Sequence, residues 1–398
     1  MANAFATSGG RVYVTRQLLA LMNSEDELAF VLGHEAGHVA ANHSRERQRG
    51  SLLGQLLTGV VGAVTGSNLA SQAVGLISQS SLASFSRNQE YESDQLGVRY
   101  MAASGYNPLE SAEILDTLNA YGAMQGRFSG RADDQRSAPS WNSTHPTSGD
   151  RIARVRRQAQ ATGRAGTPTA RDRYLTMIDG MLFDDDPRQG VIEGSTFRHP
   201  DLRVAFDAPQ GYGIQNGTSA VSVSGRDGQA IFSVLPVAYA GNLEQYALQA
   251  VQRHAGQTQV QVSRPERTTI NGLPAVAVGA RGRSQSGTVD LTVVAYEFSG
   301  NQAYYMATLT QGGRGAGAFS PMFQSVRRLT NQEATAIRPR VIDVVAAGPR
   351  DTVDTLARRM AYPSYQVERF RVLNGLLAGE TVRPGQRVKL IVYGTPTR

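Results

Sequence analysis

Residues 34–38 read His-Glu-Ala-Gly-His, and no other feature constrains the chain as much. Two histidines four positions apart on an α-helix project from one face. So placed, both imidazoles can bind one tetrahedral zinc, and Glu35 between them can act as base toward a zinc-bound water. The chain has six histidines, and two of them frame this glutamate. Upstream, Ser24 opens a Ser-Glu-Asp-Glu capping box with Glu27 three residues on. This predicts a helix from about Glu25 through His43, with Leu28, Val31 and Leu32 inward and the motif mid-helix.

Composition narrows the ligand set. There is no cysteine, so disulfides and thiolate ligands are excluded and a zinc must use His and carboxylate donors. The formal charge is +7, carried almost wholly by arginine, with Lys389 the only lysine. The arginines are scattered, which fits a soluble globular protein and no nucleic-acid partner, with weak attraction to an anionic surface as the minor alternative. Met1-Ala2-Asn3-Ala4-Phe5 has no basic region followed by an apolar core, and a polar turn, Ser8-Gly9-Gly10, follows at once. A truncated N-terminal segment is expected, so the missing signal does not argue for the cytoplasm.

Arg11–Thr15 alternates like a strand. Positions 50–86 carry no charge between the flanking residues and predict a helical hairpin over the active site, with a membrane-touching or partner-binding flap as the alternative. A second helix is predicted from Gln89 to Gly105, and another to about Tyr121. Residues 122–144 read as a mobile loop. A basic helix follows Ser148, and 161–189 reads as a linker. Residues 190–332 are rich in alternating strands, with hairpin signals at Asn271-Gly272 and Ser299-Gly300-Asn301, and predict an α+β domain on an antiparallel sheet. The end of the chain, 338–395, reads β-α-α-β: strands at Val341–Ala347 and Arg387–Tyr393, helices at Asp351–Met360 and Tyr365–Leu373. The expected fold class is therefore multidomain: a mainly α domain carrying the motif (1–160), an α+β antiparallel-sheet domain, and a small βααβ unit.

A catalytic zinc needs a third protein ligand. A metzincin would place a histidine ten residues after the first, but position 44 is Ser and position 41 is Ala. His43 is one residue off, faces another side of the helix and is expected to be structural or a cap. A carboxylate from a later helix is the remaining source. Glu90 and Asp94 face one way, so that one can bind metal while the other orients a histidine. A surface salt bridge is the alternative for Glu90, and Glu92 is expected to be solvated on the opposite side.

Asn3-Ala4-Phe5-Ala6 with Gly9-Gly10, then His34–His38, Glu90–Asp94, and His145-Pro146 with Arg151, occur in this order. Together they resemble metallopeptidase family forty-eight, the gluzincin group of HtpX, BepA and the CAAX prenyl endopeptidases. Without clear transmembrane helices the chain is most similar to the soluble, periplasmic BepA-like branch. The resemblance covers about 3–160. It implies a mainly α zincin-like metalloprotease domain, one Zn2+ per chain held by His34, His38 and Glu90, Glu35 as general base, and Asp94 behind the ligands. It also implies His145 near the metal, as a fourth ligand when closed or an oxyanion partner when open, and Arg151 as a further catalytic residue, reaching Asp94 or the substrate and able to share the oxyanion role. It departs from the family in lacking a preceding segment and a helical-repeat end.

The last unit resembles a LysM module through Asp351-Thr352, Leu356-Ala357, Leu373-Asn374-Gly375 and Val382-Arg383-Pro384-Gly385-Gln386. That likeness implies binding of peptidoglycan-type glycans near Asp351, Thr352 and Asn374, a structural cap being the alternative. The middle domain has a fainter likeness to PsbP- and Mog-type folds at Phe197–Pro200 and Ala208–Tyr212, with a docking role expected. The functional expectation is a zinc endopeptidase of bacterial envelope protein quality control, in the periplasm or cell envelope, acting on misfolded envelope or outer-membrane polypeptides and held low by the His145 loop. A noncatalytic or chaperone-like envelope protein on peptidoglycan is the competing expectation.

Overall fold

The structure is a computed structural model, described for residues 2–7, 9–43, 84–128, 141–164, 170–217, 219–225, 228–256, 258–284 and 287–397. The described residues divide into two compact units: those within 1–43, 84–184 and 338–397 form one, and those within 185–337 the other.

The first unit opens with the hairpin β1 (Ala4–Ala6) and β2 (Val12–Val14), then α1 (Arg16–Leu21) and α2 (Glu25–Ala40). Ser24 caps α2 by accepting from Glu27 N at 3.2 Å, as its capping sequence predicts. The Glu27 carboxylate instead accepts from Asn23 N at 2.6 Å. The helix ends at Ala40 rather than reaching His43, because Asn42 turns left-handed at φ 58°.

Next come α3 (Arg87–Ala103), with a full Ser86–Gln89 capping box, and α4 (Glu110–Phe128). The loop expected over 122–144 is thus helical to Phe128, since Met124 is buried on the inner face of α4. The short turn α5 (Trp141–Thr144) leads to α6 (Gly149–Ala161), capped by Ser148. The stretch read as a linker, 161–189, holds α7 (Ala170–Ile178) and β3 (Leu182–Phe183), whose Tyr174, Leu175 and Ile178 are buried. The uncharged stretch 50–86 lies outside the described residues up to 83. Among the described residues no helix is long and apolar enough to cross a membrane.

α2 and α3 cross where both carry glycine. A Cβ on Gly33 would stand 3.1 Å from Gly97 Cα, one on Gly97 3.0 Å from the His34 nitrogen, and one on Gly37 3.2 Å from Ser93 Cα. The two helices therefore approach backbone to backbone, which lets short carboxylates on α3 reach the histidines of α2.

The second unit is antiparallel, as the alternating pattern predicts. Strands β4 (Val191–Glu193), β5 (Thr196–His199) and β6 (Val204–Asp207) form a small sheet. The larger sheet takes β7 (Gly213–Asn216), β8 (Ala220–Gly225), β9 (Gly228–Ser233), β10 (Val260–Val262), β11 (Glu266–Ile270), β12 (Leu273–Ser284), β13 (Gly287–Ser299) and β14 (Gln302–Gln311). The Asn271-Gly272 signal is a tight turn between β11 and β12, with both residues at positive φ and Ile270 opposite Leu273. Helix α8 (Leu243–Ala255) packs on the face carrying Val293 and Ala295. Val294 and Tyr296 point to the other face, among Phe197, Phe206 and Phe232.

After α9 (Ser320–Ser325), β15 (Arg327–Arg328) and α10 (Asn331–Ala336), the chain returns to the first unit. Its β16 (Arg340–Ala346), α11 (Val353–Ala357), α12 (Gln366–Leu373) and β17 (Arg387–Tyr393) follow the expected β-α-α-β order. β16 pairs with both β17 and β3. Leu356, Phe370, Leu390 and Ile391 share one apolar core with Leu18, Phe30 and Tyr174.

Candidate metal centre

The helical spacing brings His34 and His38 to one point, their Nε2 atoms 3.0 Å apart. Glu90, on the first turn of α3, approaches from the facing helix: Oε1 lies 3.4 Å from His38 Nε2 and Oε2 3.7 Å from His34 Nε2. His145, at the end of α5, closes the group, with Nδ1 3.2 Å from His34 Nε2 and 3.0 Å from Glu90 Oε1. One donor atom from each of these four residues falls within 4.8 Å of every other. All four are buried, and so is Glu35.

Around the donors is a charged frame. Asp94 Oδ1 lies 3.0 Å from His34 Nδ1, and Arg151 grips the same carboxylate through Nε at 2.7 Å and Nη2 at 2.8 Å. Arg151 Nη1 also reaches Glu90 Oε2 at 2.6 Å and the carbonyls of His145 and Pro146 at 3.3 and 3.1 Å. Of its two expected partners Arg151 therefore meets Asp94, and with an exposure of 1% it holds the cluster and the His-Pro turn. Burial would raise the Asp94 carboxyl, but the Arg151 guanidinium holds it below the usual range. Glu90 is likewise drawn well down against its burial, first by His145. Burial depresses the imidazolium of His38.

Two aromatic rings wall the site. Phe85 stacks on His38 with centroids 3.8 Å apart, and Trp141, the only tryptophan, stacks on His145 at 4.3 Å. Neither was anticipated, although Trp141 lies four residues before His145, the spacing of one helical turn. His43 turns toward the site instead of facing away from it: it is buried against His38, with the two Nδ1 atoms 3.0 Å apart. Glu92 is exposed, as expected, and its Oε2 lies 3.3 Å from His43 Nε2.

The donor set fits zinc. With Nδ1–H of His34 toward Asp94 and Nδ1–H of His38 toward His43, the two Nε2 lone pairs would converge beside the Glu90 carboxylate, an arrangement suited to a cation. Nitrogens sharing a tetrahedral ion at about 2.05 Å stand about 3.3 Å apart, close to the observed spacing. Glu35 Oε1 is buried without a hydrogen-bond partner, 3.4 Å from His145 Nε2.

In the tail, Asp351 accepts from Gly348 N at 2.7 Å and Thr352 caps α11. Asn374, expected at a glycan groove, is buried. Its amide donates to Phe370 O and Lys389 O and accepts from Lys389 N, so it is a structural link and not a surface contact.

A mainly helical unit with His-Glu-x-x-His on one helix and a glutamate carboxylate facing it from the next has the donor arrangement of a gluzincin-type metal centre. Residues 1–159 match the family model of peptidase family M48. The chain is 30% identical to the beta-barrel assembly-enhancing protease of Yersinia pestis, over 46% of this chain and 38% of that protein. It is 30% identical to the mitochondrial metalloendopeptidase OMA1 of Schizosaccharomyces pombe, over 38% of this chain and 42% of that one. The metalloprotease LoiP of Escherichia coli is 29% identical over 40% of this chain and 60% of its own length. The chain thus spans about two fifths of the first two relatives. The solution structure of cyanobacterial PsbP from Synechocystis covers 33% of this chain and 91% of that one, at 13% identity and a TM-score of 0.26, a likeness too slight to carry an argument.

Proposed function

We propose that the chain is a zinc-dependent endopeptidase. The observation that carries this reading is the Glu35 carboxylate, buried beside the converged donors with no hydrogen bond to Oε1 and His145 Nε2 3.4 Å away. A purely structural metal site has no use for it. Zinc, when bound, would supply Lewis acidity and lower the pKa of a water toward about 7. Glu35 is positioned to take a proton from a water attacking the peptide carbonyl and to return it to the leaving amine. His34, His38 and Glu90 would hold the ion, and Asp94 with Arg151 would keep His34 and Glu90 in place. Glu35→Gln should retain zinc and lose proteolysis of casein. Full activity with zinc bound would refute the role.

The same geometry supports a resting state of low activity. His145 stands against two ligands and Glu35, its turn clamped by Arg151, and with Glu35 buried in this arrangement a polypeptide needs the turn to move. Once displaced, the imidazole is suited to the oxyanion side of the site. His145→Ala should then raise peptidase activity, and unchanged or abolished activity would count against gating.

By likeness to the beta-barrel assembly-enhancing proteases, the substrates we propose are misfolded envelope or outer-membrane polypeptides, and the compartment the periplasm or cell envelope. The β-α-α-β order supports a LysM-like reading of 338–395, with glycan contacts now restricted to Asp351 and Thr352. Co-sedimentation of the whole chain with insoluble peptidoglycan tests it, and no retention above a serum-albumin control refutes it.

A further inference from the structure

His34 has an evident support in Asp94, whereas His38 has no carboxylate at its Nδ1. In that place is a second imidazole. His43 Nδ1 lies 3.0 Å from His38 Nδ1, the rings meeting near edge-on at 71°, and Ser93 Oγ lies 3.3 Å from the same His43 nitrogen. On the far side, His43 Nε2 faces Glu92 Oε2 at 3.3 Å. His43 is 2% exposed, while the Glu92 side chain is 58% exposed. The left-handed turn at Asn42 makes this possible: had α2 run on to position 43, the ring would have faced away from His38.

We infer that His43, held by Glu92, is a positioning residue of the metal centre that fixes the tautomer and ring plane of His38. The bonding order follows from donor counting. A carboxylate only accepts, so Glu92 selects the His43 tautomer with hydrogen on Nε2. The His43 Nδ1 lone pair then accepts from Nδ1–H of His38, which leaves the His38 Nε2 lone pair free to face Glu90 and a metal. No other side chain offers an acceptor and a donor back to back at this spacing with the shape of a flat ring. His38 is thereby pinned between Phe85, stacked on its face, and His43 at its edge. The two ligand histidines are supported differently, one directly by a buried carboxylate and the other through an imidazole relay that ends at the surface.

This inference rests on the zinc reading proposed above, and the experiment separates the two. Zinc content and affinity of the full-length wild-type protein are measured first, by competition with a chromogenic chelator. A wild type that binds no zinc refutes the zinc reading itself. Given one zinc per wild-type chain, His43→Ala should weaken zinc binding about 10- to 100-fold, the range found when partners of metal-bound histidines are removed. It should also alter the visible spectrum of the Co2+-substituted protein, which a merely structural role would leave unmoved. His43→Asn, whose side-chain oxygen can still accept from His38, should recover most of the affinity. Glu92→Ala, at an exposed position, should weaken zinc at least threefold without disturbing the fold. Affinity within twofold of wild type in His43→Ala overturns the inference. Should that variant fail to fold, the same result in Glu92→Ala overturns it.

Discussion

Lys389 tests how firmly the C-terminal unit is built into the protease core. It is the only lysine in the chain, it is wholly buried on β17, and its ammonium donates to Ala20 O at 2.7 Å and Met22 O at 2.6 Å. Those carbonyls end α1, where a cation is favoured by the helix dipole. Glu27, on the first turn of α2 and two turns before His34, is also buried and acts on Lys389 electrostatically. Burial pushes the Lys389 ammonium down and the Glu27 carboxyl up to about 8, outweighing the pull of each on the other. Lys389→Met keeps most of the volume but strips two buried carbonyls of their donor. Each orphaned acceptor costs about 1–3 kcal/mol. The expected loss is therefore about 2–6 kcal/mol, or about 4–24 °C in Tm for a unit of this size.

Trp141 makes the measurement specific, because the sole tryptophan is buried in the first unit. Urea unfolding followed by its fluorescence should show the lowered midpoint. If Lys389→Met lies within about 0.5 kcal/mol of wild type, the size of an ordinary surface substitution, the welding argument fails.

Three further outcomes follow. His254 is buried against Tyr305, and burial lowers it from 6.5 to about 4. The unfolded chain therefore takes up this proton first, so its contribution is complete above about pH 6.5 and is lost as the pH falls toward 4, by about 3 kcal/mol in total. Hydrogen exchange of the α8 amides should speed accordingly, and His254→Gln should remove that pH dependence. Gly97→Ala presses a methyl group onto the His34 backbone and should cost about 1–3 kcal/mol while weakening zinc, read by Trp141 unfolding and chelator competition. Chelation of a zinc present at about 1,000 times its Kd should lower the stability of the first unit by about 4 kcal/mol, and no shift in its unfolding midpoint would argue against a bound ion.

What was legible in the sequence was whatever a single helix could encode. The spacing of His34, Glu35 and His38, and of Glu90 and Asp94, specifies a face without any tertiary knowledge, and the structure brings those residues together. The β-α-α-β order of the tail was legible for the same reason, through local periodicity and turn residues. The linker reading of 161–189 missed α7 because its few apolar residues, Tyr174, Leu175 and Ile178, find their core partners partly in β17, more than two hundred positions away. Asn374 was misread because a polar residue at a helix end resembles a surface contact until the strand that buries it, around Lys389, is in place.

His43 is the most instructive miss. Projecting it along α2 was sound helical geometry applied three residues past the true end of the helix. One left-handed residue, Asn42, reverses the conclusion, turning a ring expected on another face into the partner of a metal ligand. The margin at this helix end is small in free energy, since Asn42 is less favourable in a helix than Ala40 or Ala41 by less than about 1 kcal/mol. At this site that small margin decides which histidines meet. A substitution that extends α2, such as Asn42→Ala, removes a residue that tolerates positive φ and should swing His43 away from His38. Its zinc affinity should then fall as in His43→Ala, although no side chain of the metal centre has changed. Wild-type affinity in Asn42→Ala would show that the turn does not place His43.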